Sequence, residues 1–99
     1  MYRIAILPGA KKDILEAYKW YEDQRESLGG KFERKIIVDI DKLQSDFVQH
    51  EPVYKGLSRV FMKGFPYQIY FKKDESGKVI VIHAVLHNKQ SRIILNKRV

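Results

Sequence analysis

Phe32, Ile36, Ile40, Leu43 and Phe47 recur at steps of four, four, three and four residues. That spacing is one continuous apolar stripe on a helix. Ile14, Ala17, Tyr18 and Tyr21 recur at helical intervals too and predict an earlier helix from Lys11 to about Leu28. Gly29-Gly30 lies between the two stretches and reads as the break between them. So short a link predicts an antiparallel helical hairpin. Glu51-Pro52 closes the helical region, because proline disfavours helix at the residue before it.

The rest of the chain carries the period of a sheet. Tyr2 to Leu7 reads as a short strand, with Pro8-Gly9 turning out of it. In Leu57 to Lys63, Val60 and Met62 fall on one face, while Leu57, Arg59, Phe61 and Lys63 fall on the other. Tyr67, Ile69 and Phe71 share a face in the next strand, opposite Gln68, Tyr70 and Lys72. Residues 73–78 form a polar hairpin loop. Val79 to Leu86 is almost wholly apolar, as a central strand covered on both sides would be. The last dozen residues fit a short helix or another strand equally well. The expectation is a single α+β domain over residues 1–99, ordered β-α-α-β-β-β. It is an antiparallel twisted sheet with the helical hairpin on one face and the other face open.

Composition narrows the function classes. The chain has no cysteine, so disulfides and thiolate metal sites are excluded. No apolar run approaches the roughly 20 residues that span a bilayer, and Ile4 to Leu7 is too short for a signal peptide. A soluble cytoplasmic protein with no membrane partner is expected. Net charge is +7, from 19 Lys and Arg against 12 Asp and Glu, which favours polyanions or an acidic protein as partner. The excess is uneven: Lys89, Arg92, Lys97 and Arg98 lie in a C-terminal stretch without a carboxylate.

His50, His83 and His87 offer no metal-ligand spacing, and serine-hydrolase and phosphate-loop signatures are absent. No metal and no small-molecule cofactor is expected. RNA cleavage stays possible, because the 2′-hydroxyl supplies the nucleophile. The protein then needs only an acid, a base and cations at the phosphate. Arg59, Lys63 and Tyr70 would project onto the open sheet face, with His87 and Arg92 at its rim. In that reading Arg59 and Lys63 neutralise phosphate and His87 is acid or base. Tyr70 stacks on a base or donates a proton. Each also has a plain structural reading: Tyr70 as packing, His87 as a strand end. His83 reads as a core histidine, and Trp20 and Tyr21 as helix packing.

Several motifs together resemble a known family. These are Trp20-Tyr21-Glu22, Gly29-Gly30-Lys31-Phe32, Phe65-Pro66-Tyr67 and Ala84-Val85-Leu86-His87. Over about Ile4 to Arg92 the chain resembles the RelE/ParE superfamily, the toxins of bacterial type II toxin–antitoxin systems, with a lean to the ParE side. The resemblance implies neutralisation by a cognate antitoxin, which would lay an acidic or amphipathic segment across the open face. It further implies one of three activities. A ParE-like protein poisons DNA gyrase by binding, and here Arg59, Lys63, Tyr70, Lys89, Arg92, Lys97 and Arg98 would contact the target. A RelE-like protein cleaves messenger RNA on the ribosome, and Arg59, Lys63 and His87 would then be catalytic. An inactive relative keeps only the antitoxin. The family commonly places an Arg three residues after the histidine and a Pro two further on; here those positions hold Gln90 and Arg92. RelE-like members act through a C-terminal tyrosine or histidine. This chain has no tyrosine after Tyr70, so the role would fall to His87.

Overall fold

The computed structural model describes residues 2–44 and 51–98. Its elements are β1 (Arg3–Ile6), α1 (Pro8–Gln24), α2 (Leu28–Asp41), β2 (Ser58–Phe61), β3 (Tyr67–Asp74), β4 (Val79–His87) and α3 (Ser91–Arg98). The sheet order is β1-β4-β3-β2. The three consecutive strands pair antiparallel as expected, and β1 adds parallel to β4, so the sheet is mixed.

α1 starts earlier than its periodicity suggests. Pro8 does not turn the chain away from β1; it occupies the first helical positions, where its missing N–H costs nothing. α1 then buries Ala10, Ala17 and Tyr21.

The break between the helices is likewise not at the glycine pair. α1 ends at Gln24, Ser27 takes a left-handed φ of 75°, and Gly29-Gly30 opens α2. Glu22 caps that helix: its carboxylate accepts the N–H of Ser27 at 3.0 Å and of Gly29 at 2.9 Å, satisfying donors that a helix start leaves unpaired. A Cβ on Gly29 would stand 2.6 Å from the Tyr18 carbonyl. The glycine is therefore a close-approach site between helices, not a breaker. α2 buries Phe32, Ile36 and Ile40 as its stripe requires, and Leu43 follows in the turn. Phe47, the last position of the predicted stripe, and His50 lie outside the described residues.

These helix faces cover one side of the sheet, meeting Met62, Ile69, Phe71, Ile80, Ile82 and Val85. The opposite side is not open. The C-terminal segment resolves as helix α3, whose Leu95 packs with Leu57, Tyr70, Ala84 and Leu86 in a second, smaller core.

β4 changes phase within its length. The register against β3 shifts between Tyr70 and Phe71, leaving His83 as the extra residue. Ile80 and Ile82 face the helical hairpin before the bulge, and Val85 faces it after. A bulge re-aims every side chain beyond it.

Burial first, and the nearby Lys72 ammonium second, hold the His83 imidazole below its ordinary value of 6.5. The unfolded chain then binds the proton more readily than the native one. Stability is full above the unfolded value of 6.5 and falls as pH drops toward the lower native value. Urea midpoints from about pH 7.5 to about pH 5 should show this slope, and His83→Gln should flatten it. Equal slopes in the two proteins would remove His83 from the account.

Candidate functional site

The residues expected on one face separate in three directions. Arg59 pairs with Tyr70 across β2 and β3, but its guanidinium stacks over the exposed Phe61 ring at 4.9 Å. Tyr70 is only 1% exposed and donates its hydroxyl proton to Gln68 Oε1 at 2.6 Å. It is a core residue, not a platform for a base, because α3 covers the face on which it was expected to be free. Lys63 lies past the end of β2 and borders a groove on the α2 side. His87 pairs with Tyr67 and meets its ring edge to face at 5.4 Å. The bulge at His83 sends it to the hairpin side, away from Arg59.

The basic tail divides as well. Arg92 stacks over Tyr54 at 4.4 Å. Arg98 is committed internally: Nη1 donates to Asp13 Oδ2 at 2.8 Å and Nη2 to Oδ1. The backbone N–H of Val85 donates to the same carboxylate at 3.0 Å. Asp13, buried on α1, thereby ties α3 to β4. That ion pair holds the Arg98 pKa above its ordinary value, the hydrogen bond it donates to Asp13 being the largest cause. Lys89 and Lys97 are exposed.

Where a flat face was expected, the described residues form several concave surfaces, two of which bring candidate residues together. The first is a groove of about 680 Å³ between α2 and the Gly64-Phe65-Pro66 turn. Gly64 takes a φ of 87°, a conformation suited to glycine. Phe65 then packs against Tyr21 at 5.0 Å and Phe32 at 5.2 Å. Leu28, Val38 and Phe65 give an apolar floor, and Lys31, Arg34, Lys35 and Lys63 form the rim, with no carboxylate among the lining residues. Lys35 is paired with Asp39 on the same helix. Lys31 and Arg34 are not among the site residues expected from the sequence. Their spacing of three was the available signal, since it sets them on one face beside Val38.

The second is an aromatic cleft where α1 meets the ends of β3 and β4. It is bordered by Trp20, Tyr21, Pro66, Tyr67, His87 and Lys89, and measures about 460 Å³. Burial, then the Tyr21 and Asp13 charges, raise the Tyr67 pKa above 10.0, so its hydroxyl stays a neutral donor. Among the described residues no three His, Cys, Asp or Glu side chains converge on a possible ion site. No helix of these residues is long and apolar enough to cross a membrane.

A sequence model described as "ParE toxin of type II toxin-antitoxin system, parDE" matches residues 4–92. The chain belongs to the ParE toxin family. The ParE fold is evident in solved structures too. A structure of the chromosomal ParDE toxin–antitoxin system from P. aeruginosa superposes with a TM-score of 0.76 at 19% identity. The alignment covers 88% of this chain and 96% of that one. The isolated E. coli RelE toxin superposes at 0.59 with 10% identity, covering 98% of this chain and 95% of that one. No curated protein sequence matches the chain.

Proposed function

We propose that this ParE-family toxin inhibits growth by binding, with DNA gyrase as its target, and that a cognate antitoxin silences it in the cytoplasm. The observation that supports binding over cleavage is the dispersal of Arg59, Lys63 and His87. Phosphodiester cleavage needs base, acid and cation within hydrogen-bond reach of one phosphate. Arg59 stacks on Phe61, Lys63 borders the α2 groove and His87 lies against Tyr67.

The antitoxin contact is assigned to the α2 groove, because its apolar floor and cationic rim suit an acidic amphipathic segment. Tight association would also help so small a domain, which buries only roughly two thirds of its unfolded surface.

Induction of the chain in a bacterial host, with labelled thymidine and labelled amino acid followed together, tests the target. DNA synthesis should fail first, and purified protein should inhibit gyrase supercoiling. His87→Ala and Arg59→Ala should stay as toxic as the parent. Early arrest of protein synthesis, with toxicity lost in both variants, would instead establish the RelE-like nuclease.

Calorimetry should find micromolar or tighter binding to the antitoxin encoded beside the gene. The combined change Lys31→Glu, Arg34→Glu and Lys63→Glu should weaken it about 100-fold, since like charges brought together cost several kcal/mol. An unchanged affinity would remove the antitoxin from this groove.

A further inference from the structure

We infer that the aromatic cleft between α1 and the β3–β4 ends is a nucleotide site, taking a base among its rings and a phosphate at Lys89. Trp20, the only tryptophan of the chain, is 55% exposed although it stands against Tyr21 at 5.0 Å with the rings perpendicular. Burial is the ordinary fate of so large an apolar surface, and an exposed indole beside Tyr67 and His87 offers a face on which a base can stack. The cleft volume of about 460 Å³ lies in the range of small-ligand sites, roughly 300–1,000 Å³.

The polar groups are few and placed. The Lys89 backbone N–H donates to His87 Nδ1 at 3.1 Å. A neutral His87 therefore carries its proton on Nε2, as a donor. Gln90 borders the same cleft with a carboxamide that can both donate and accept, the pattern that reads a base edge. Lys89 brings a cation, and no carboxylate lines this cleft, while the adjoining hollow past Trp20, Tyr67, His87 and Gln90 carries Asp13, which Arg98 neutralises, and Glu16. The phosphate is therefore placed at the Lys89 end.

The frame is fixed beforehand. The Asn88 N–H donates to the Pro66 carbonyl at 2.9 Å, the Tyr67 N–H to that of Phe65 at 2.8 Å and the Gln90 N–H to that of His87 at 3.0 Å. These bonds hold the β4–α3 turn against the Phe-Pro-Tyr bend, so little ordering remains to oppose binding. This site is separate from the α2 groove and from any choice of toxin target.

The test uses the purified full chain and the fluorescence of Trp20. AMP, GMP, CMP and TMP are titrated singly, alongside a short single-stranded DNA oligonucleotide, with calorimetry in parallel. Saturable quenching is expected. Lys89→Ala should weaken binding about fivefold or more and flatten its salt dependence. Trp20→Ala, followed by calorimetry, should weaken it about tenfold or more, while Trp20→Phe should keep most of it. Lys89 stands in an exposed turn, so its variant should melt like the parent even if Trp20→Ala folds poorly. Binding of mononucleotides identifies a free nucleotide as the ligand; binding of the oligonucleotide alone identifies a base presented by a strand. Both uphold the site. Absence of quenching by every nucleotide probe at millimolar concentration overturns it. So does an affinity that Lys89→Ala leaves intact.

Discussion

Phe32→Ala should lower folding stability by about 3–5 kcal/mol, the range for truncating a buried aromatic ring. Phe32 is wholly buried and joins three parts of the fold. It stacks on Tyr21 of α1 at 5.5 Å and meets Phe65 and Tyr67 of the Phe-Pro-Tyr bend at 5.2 Å each. Neither the hairpin nor the bend can collapse into the vacated space alone, because each is held by the other. Stability of the whole domain is of order 5–15 kcal/mol, so much of it would go. Urea unfolding should show a lower midpoint at unchanged slope. A loss below about 1 kcal/mol would mean that the aromatic cluster is not the central joint described here.

Asp13→Ala should cost about 3 kcal/mol, the lower end for removing one partner of a buried ion pair. The side chain of Asp13 is 6% exposed and that of Arg98 32%, so the freed guanidinium can turn partly to water while the Val85 N–H loses its acceptor. Arg98→Ala should also destabilise, and the two losses should not add, because both break one interaction. A double-mutant cycle on thermal or urea midpoints measures the coupling. Additive losses would show that Asp13 and Arg98 act separately. The same geometry changes the meaning of a tail truncation from Asn96. It takes Arg98 from Asp13 and loosens α3 from the sheet, so weaker target binding by such a protein would reflect the fold as much as lost tail charge.

The identity of the helices and strands was legible in the chain because period alone reports which face is apolar. The stripe from Phe32 to Ile40 and the alternation from Tyr67 to Phe71 both face the core as read. The family motifs were legible for the same local reason, and the structure explains them: Glu22 caps α2, and Gly29 admits the Tyr18 carbonyl. The concave sites were less so. The groove needs Lys31 and Lys63, distant in sequence, to border one apolar floor. The cleft needs Trp20 to meet residues near position 88.

The sequence by itself determined the element types as far as β4, the α+β class, the excess of positive charge and the family. Tertiary structure alone decided which of those charges are available and where they point. A one-residue bulge at His83 moved His87 to the hairpin side, and period-two reasoning has no way to see an inserted residue. The C-terminal segment became a helix because it could bury Leu95 on Tyr70 and set Arg98 on Asp13. Those partners lie far off in the chain, so local propensity left the segment undecided. Packing thereby closed the sheet face on which the chemistry was expected, and left the α2 groove and the aromatic cleft among the accessible concave surfaces.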